Sequence, residues 1–351
     1  MQDILHKTLI IRFSSVGDIV LSSPLLRALR RRFPQSQIDY LVKAEFAELV
    51  RQSPYCSHVI TFPAGGTFAD LLRIRKMNTR ERYDAIVDLH GSLRSRFLCL
   101  GARRVMRINK RAVARFFLIH GKRNIYRLFG GAPGIAERYM ETVARLGVHA
   151  DTGGLDLFVS EESGAHAAEL LGLAGIAPSA PLLGVCPSAK HGNKMWLKDR
   201  FAEAAIVVAR ERGASVVLLG SPDDAAQCDE VRGMIHAFDP SLPVADLAGR
   251  TSLAEAAAVM DRCFLVLSND SGLMHIAAAR TRPVVAIFGP TVREFGFFPE
   301  GARSVVVEPP PLPCRPCTHI GLPECPEGHF RCMNEIPAAR VIAASRQIFA
   351  S

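Results

Sequence analysis

No apolar run in this chain reaches the ~18–20 residues that a membrane-spanning helix requires. The first apolar stretch, Leu9–Ile11, is cut by Arg12 and makes a poor leader segment, so a cytoplasmic protein is expected. Two glycine-rich phosphate motifs are missing. No Gly-x-Gly-x-x-Gly follows the first strand, which weakens a dinucleotide reading, and the absence of Gly-x-x-x-x-Gly-Lys-Ser/Thr argues against a P-loop. There is no low-complexity tract beyond Pro309–Pro311 and no short-period repeat. Acidic residues vanish between Arg94 and Arg127, where eleven Lys or Arg residues stand without an Asp or Glu. Such a stretch attracts phosphates, or is a plain solvated surface. Cysteine is plentiful at nine, but Cys56, Cys99, Cys186, Cys228 and Cys263 are scattered, mostly through apolar segments, and give no disulfide framework.

What is present is globular. The 351 residues, 48% hydrophobic and 22% charged, suit two domains, each with its own core. Short β-branched runs alternate with amphipathic helices, the pattern of open parallel sheets, and the fold class is α/β. Strands are expected at Thr8–Phe13, Gln37–Val42, Val59–Thr61, Ala85–Leu89 and Val105–Ile108. Helices fall at Pro24–Arg32, Glu45–Arg51 and Phe68–Met77. After a seam near Leu173–Leu182, strands recur at Leu182–Cys186, Ser215–Leu219, Leu265–Ser268, Val284–Phe288 and Ser304–Val307. The helices there are Asp199–Arg212, Asp224–Ala237, Leu253–Asp261 and Leu273–Arg280. The expected domains are residues 1–178 and 179–335, two Rossmann-like, doubly wound units facing a central cleft. A last helix within 336–351 is expected to pack back across the seam.

Three loops carry candidate chemistry. Arg12–Asp18 follows the first strand; Ser14, Ser15 and Gly17 allow close backbone approach, and Asp18 suits a general base or, by spacing alone, a helix cap. Ser268–His275 ends a strand and opens a helix, so Ser271 and Gly272 offer backbone N–H groups to a phosphate. The plain alternative is an Asp270 cap with a packed His275. Pro187–Trp196 follows the first strand of the second half, with Ser188, Lys190 and Lys194 as donors. One carboxylate loop and two phosphate loops are what nucleotide-sugar chemistry needs.

Ser14–Asp18, Asp88–Ser95, Lys194–Trp196, Asp270–His275 and Phe288–Thr291 together resemble the lipopolysaccharide heptosyltransferases of glycosyltransferase family 9, in motif order from end to end. The tail from Cys314 to Cys332 resembles the type II branch more than type I. The resemblance implies a GT-B fold and an inverting transfer from ADP-heptose, with no cofactor required, onto the anionic inner core of lipid A. The nucleotide sugar and that glycolipid are the implied partners, together with the cytoplasmic face of the inner membrane. On this reading Asp18 is the base. Ser188, Lys194, Asp224, Thr251, Asp270, Ser271, Gly272 and His275 bind the donor, Asp224 through the ribose and Thr251 near the adenine. Ser15, Gly17, His90, Arg94 and Arg96 bind the acceptor.

The spacing Cys314-x2-Cys317-x7-Cys325-x6-Cys332 permits a thiolate metal site or free thiols in a tight loop, scaffolding in either case. Within the same family, another acceptor position or nucleotide sugar is the nearest alternative. A non-catalytic nucleic-acid binder would use the basic stretch but leaves the three loops unexplained, and no nucleic-acid partner is expected.

Overall fold

A computed structural model describes residues 5–301 and 303–350. The chain forms two compact units. The first holds a five-stranded parallel sheet of β1 (Lys7–Ile11), β2 (Gln37–Lys43), β3 (His58–Phe62), β4 (Ala85–Asp88) and β5 (Val105–Arg107), in the order β3-β2-β1-β4-β5. The second holds six parallel strands: β6 (Leu182–Cys186), β7 (Ser215–Leu218), β8 (Val244–Asp246), β9 (Cys263–Asn269), β10 (Val284–Ile287) and β11 (Ser304–Val307). Their order is β11-β10-β9-β6-β7-β8. All of β4 and β6 is buried, whereas edge strand β3 is largely accessible. That contrast explains why the central strands read as unbroken apolar runs.

Every expected strand forms within a residue or two of its expected ends. β8 was not expected: three residues after Pro243 are too short to show alternation. Short helices at Val16–Val20 and Leu93–Leu98, and longer ones at Ala112–His120, Ile135–Val143 and Glu161–Leu173, were also not foreseen.

The units divide differently from the expected seam at 178/179. The first takes the chain up to Lys110 and again Pro133–Phe158; the second takes Arg111–Ala132 and everything from Val159 onward. Helix Glu161–Leu173 accounts for part of the difference. It packs on helix Leu253–Asp261, with His166 Nδ1 2.5 Å from Glu255 Oε1, so it belongs to the second core. The last helix, Ala338–Ala350, packs within the second unit. It lies on helix Lys198–Arg212 and strands β10 and β11, and buries Val341, Ile342 and Ile348 in the second core.

Within the first unit the returning segment is tied down by Arg27. Its buried guanidinium donates to Asp151 at 2.9 and 2.6 Å and to the Gly154 carbonyl at 2.8 Å, and it also pairs with Asp156. The Arg27 hydrogen bonds outweigh the cost of burial and bring the Asp151 carboxyl down to about 2. An unfolded Asp titrates near ~3.9. The contribution of this pair is therefore complete above that value and is lost as pH falls through about 2. Arg27→Met is expected to cost about 3 kcal/mol at neutral pH, because Asp156 loses its arginine and Asp151 is left with exposed Arg31. Denaturant titrations at pH 7 and in acid check this: the deficit should shrink as the carboxylates protonate.

Candidate functional site

In each sheet the strand order reverses once: between β1 and β4 in the first unit, and between β6 and β9 in the second. At such a switch point the two connections run to opposite faces and leave a crevice beyond the strand ends, where α/β proteins bind ligands. The expected loops sit there. Arg12–Asp18 leaves β1 and Leu89–Ser92 leaves β4; Pro187–Trp196 leaves β6 and Asp270–His275 leaves β9.

In the first unit Asp18 lies in the first turn of helix Val16–Val20. Its Oδ2 is fully engaged: the Ser15 N–H donates at 3.2 Å, the Ser15 hydroxyl at 2.8 Å, and Arg12 forms an ion pair at 2.5 Å. Its Oδ1 receives only the Tyr139 hydroxyl, at 3.3 Å. Capping and proton transfer are therefore not exclusive roles, since one oxygen holds the turn and the other keeps a lone pair. Burial alone would raise this carboxyl, but the Arg12 charge and the Ser15 hydrogen bonds outweigh it and hold it below its ordinary value. Asp18 is a carboxylate at neutral pH. Ser15 thus spends its side chain on Asp18, and Gly17 is buried in the helix.

Arg12 also donates to the Leu89 carbonyl at 2.7 Å, linking the two switch-point loops. The β4 loop is fixed by buried Asp88, which accepts the N–H groups of His90 (3.1 Å) and Gly91 (2.7 Å), the Ser95 hydroxyl (3.1 Å) and Arg107 Nε (2.8 Å). His90 meets Phe13 edge-on at 5.1 Å. Burial, with Arg12 and Lys110 nearby, pushes its imidazole down to about 4, so it is neutral near pH 7. Arg94 and Arg96 are exposed on helix Leu93–Leu98.

In the second unit Lys194 Nζ is 2.6 Å from Asp270 Oδ2, and both residues are buried. The Thr291 hydroxyl donates to the same oxygen at 2.7 Å. Helix Gly272–Ala279 begins beside this pair. Ser271 is its N-cap but makes no capping hydrogen bond, because its hydroxyl is 3.2 Å from that of Ser268. The first-turn N–H groups therefore remain available to an anion. His275 is buried on this helix. Ser188 is buried, and its hydroxyl has no hydrogen-bond partner among the described residues.

The loops after β7 and β8 are clasped, with the Gly249 N–H donating to the Gly220 carbonyl at 3.0 Å. Both glycines are required. A Cβ on Gly249, which has φ +70°, would lie 2.9 Å from Pro222 Cα, and one on Gly220 would lie 2.8 Å from Asp224 Cβ. Asp224 closes its own turn through Oδ2, which accepts the N–H (2.8 Å) and hydroxyl (2.6 Å) of Ser221. Thr251 is half-buried two residues beyond Gly249.

Among the described residues no group of three or more His, Cys, Asp or Glu side chains is arranged to hold a metal ion. Cys314, Cys317, Cys325 and Cys332 form no disulfide. The tail that carries them braces the Lys194 loop. Asn193 N–H donates to Leu322 O at 3.2 Å, and Leu322 N–H donates to Asn193 Oδ1 at 2.8 Å. Contact is close enough that a Cβ on Gly192 would lie 2.2 Å from Pro323 O. A cavity of about 410 Å³ in the first unit, between Asn78, Tyr83, Leu98 and Arg103, contains none of the expected site residues.

A family model described as glycosyltransferase family 9 (heptosyltransferase) matches residues 71–326. The chain belongs to glycosyltransferase family 9. It is 30% identical to the lipopolysaccharide heptosyltransferase 2 of Escherichia coli K12 over 300 residues, 82% of this chain and 84% of that one. The solved E. coli ADP-heptose lps heptosyltransferase II superposes with a TM-score of 0.74 at 25% identity, covering 98% of both chains. A family 9 structure from Veillonella parvula gives 0.77 at 22% identity, over 100% of this chain and 99% of that one. The two Rossmann-like units are thus those of a GT-B glycosyltransferase.

Four residues to which the motifs assigned no role hold this family 9 site in shape: Arg12, Tyr139, Thr291 and Asn269. Asn269, fully buried at the end of β9, accepts the Trp196 N–H at 3.0 Å and donates to Pro187 O at 2.7 Å, and so fixes both ends of the Lys194 loop. The strand run ended at Ser268 in the sequence, so Asn269 looked like loop. Asn269→Ala should cost about 2 kcal/mol by leaving buried backbone groups unpartnered. Trp196 is the sole tryptophan and is buried, so its fluorescence during urea unfolding measures this directly.

Proposed function

We propose that this family 9 enzyme transfers a heptosyl group, with inversion, from ADP-L-glycero-D-manno-heptose to the inner core of lipopolysaccharide, as a type II heptosyltransferase does. The carrying observation is Asp18: an ionised carboxylate at a switch point, with one oxygen locked and the other holding a single long bond from the Tyr139 hydroxyl. It is matched in the second unit by Lys194 beside an uncapped helix start. The names of the relatives supply the donor and acceptor classes, and the carboxylate and phosphate loops suit them.

In this reaction the acceptor hydroxyl oxygen attacks the anomeric carbon from the face opposite the diphosphate. The C–O bond to the β-phosphate breaks, and its electron pair leaves on ADP. The hydroxyl proton passes to Asp18 Oδ1. Lys194 and the N–H groups at Ser271 and Gly272 take up the charge that grows on the departing diphosphate. Asp270 and Thr291 orient Lys194. Asp224, whose Oδ1 is not used in its turn, accepts from a ribose hydroxyl, and Thr251 and the β8 loop lie toward the adenine; His275 supports the phosphate turn. His90, Arg94 and Arg96, with the backbone of Ser15 and Gly17, receive the acceptor.

The acceptor is membrane-embedded, so the enzyme works at the cytoplasmic face of the inner membrane as a peripheral protein. Among the described residues no helix is long and apolar enough to cross a membrane.

Two variants separate the roles. Asp18→Asn should lower turnover roughly 100- to 10,000-fold while leaving ADP affinity near that of the parent. Asn is preferred to Ala because it keeps a partner beside half-buried Arg12. Lys194→Gln should weaken ADP binding roughly tenfold to a hundredfold. Calorimetry with ADP and turnover assays distinguish them; an Asp18→Asn protein that no longer bound ADP would remove the base assignment.

Salt provides a third test. Exposed Arg94 and Arg96 meet acceptor phosphates through solvent, so salt should raise the acceptor KM more than the donor KM. The double substitution Arg94→Gln, Arg96→Gln should abolish most of that difference.

A further inference from the structure

Helix Ala112–His120 is apolar on two faces. One face buries Ala114 and Leu118 against Tyr126 and Phe295 of the second unit. The other carries Val113, Phe116, Phe117 and His120, at spacings of three, four and seven residues that place them in one stripe. This second stripe faces water: Val113 is 53%, Phe116 58% and Phe117 42% exposed. Its rings pack on one another, with Phe116 centred 4.6 Å from His120 and 6.0 Å from Phe117. Leu128, 79% exposed, and Phe129 follow in the same excursion. A surface helix normally turns such a stripe inward, and bulky apolar groups gathered in the open mark an interaction surface.

Charge identifies the occupant. Residues 111–132 contain Arg111, Arg115, Lys122, Arg123 and Arg127, and no Asp or Glu. The excursion is also held firmly. Lys122 Nζ donates to the carbonyls of Cys314 (2.9 Å) and Pro316 (2.7 Å), and Asn124 Nδ2 donates to Glu294 Oε1 at 2.8 Å. Aromatic and aliphatic side chains among cations, on a short anchored helix, match the interface of an anionic bilayer. The rings enter the headgroup boundary and the cations meet lipid phosphates.

We infer that the stripe Val113–Phe116–Phe117, with Leu128, Phe129 and the surrounding cations, is the surface by which this protein docks on an anionic membrane. This rests on the reading above only in giving the docking a purpose: it brings the enzyme to an acceptor held in that membrane. The partner is the bilayer itself, not the acceptor glycan.

The test uses the full chain without donor or acceptor, so it stands apart from the proposed reaction. In Phe117→Trp the new indole is exposed, against the constant background of buried Trp196. Its emission should shift to the blue on vesicles of phosphatidylethanolamine and phosphatidylglycerol, not on phosphatidylcholine, and the shift should weaken with salt. The double variant Phe116→Ser, Phe117→Ser should bind the anionic vesicles at least about tenfold more weakly. It should still keep the parent rate on a deacylated, soluble acceptor. Emission from the introduced indole that does not change on vesicles, or parental vesicle binding by the double variant, would overturn the inference. Equal loss on the soluble acceptor would assign the stripe to the acceptor site instead. An indole already blue-shifted without vesicles, in a Phe117→Trp protein that sediments as a dimer, would make the stripe a contact between copies.

Discussion

The constraint on which the candidate site of each unit depends is the reversal of strand order in a parallel sheet. A right-handed crossover sends each successive helix to one face for as long as strands are added on one side. When the chain returns to the centre and builds outward the other way, as at β4 after β1 and at β9 after β6, the connections diverge. Their backbones cannot fill the space between them. Asp18, His90, Lys194 and Ser271 all follow one of these four strands, so the geometry of the sheet assigns their positions before any side chain is chosen.

Side chains then convert a crevice into a rigid one, and they do so with buried polar groups rather than apolar packing. Arg12 joins the β1 loop to the β4 loop through Asp18 and the Leu89 carbonyl. Asn269 does the same for the β6 and β9 loops through Trp196 and Pro187. Each bridge satisfies backbone or carboxylate atoms that would otherwise be stranded away from water, which is why losing one is costly. The cysteine-rich tail adds a second brace from outside, through Asn193 and Leu322. One of its four thiols joins that bracing, since Asn193 Nδ2 donates to Cys317 Sγ at 3.9 Å; the rest runs through backbone groups and the Asn193 amide oxygen.

The sheets were legible because buried central strands leave an apolar run that little else produces, as at Leu182–Cys186 and Val284–Ile287. The loops were legible because small residues after such a run have few other uses. What escaped was whatever lacked a local pattern. β8 has three residues; helix Glu161–Leu173 is weakly amphipathic and belongs to a core built mostly later in the chain. The excursion Arg111–Ala132 announced itself only as charge, and its helix was hidden because apolar residues on two faces blur the period that reveals one. Arg12 and Asn269 look like strand-end residues, and their partners lie some seventy residues away by contact rather than by spacing.

The pairing of Asp18 with Arg12 raises a chemical question, because a carboxylate held below its ordinary pKa is a poorer base. In the proposed transfer, however, the demand on it is not equilibrium deprotonation of an alcohol. As the bond to the diphosphate lengthens and the sugar becomes cationic, the attacking hydroxyl acidifies, and the proton has to leave only late. The requirement on Asp18 is then to be ionised, fixed and acceptor-only at every instant before that, in a half-buried turn where an unpaired carboxylate would tend to take up a proton. Arg12 and Ser15 meet it by loading Oδ2, while Oδ1 faces only the Tyr139 hydroxyl at 3.3 Å. Basicity is given up for a constant charge state and a fixed direction. That exchange favours catalysis as long as orientation, rather than proton affinity, limits the step.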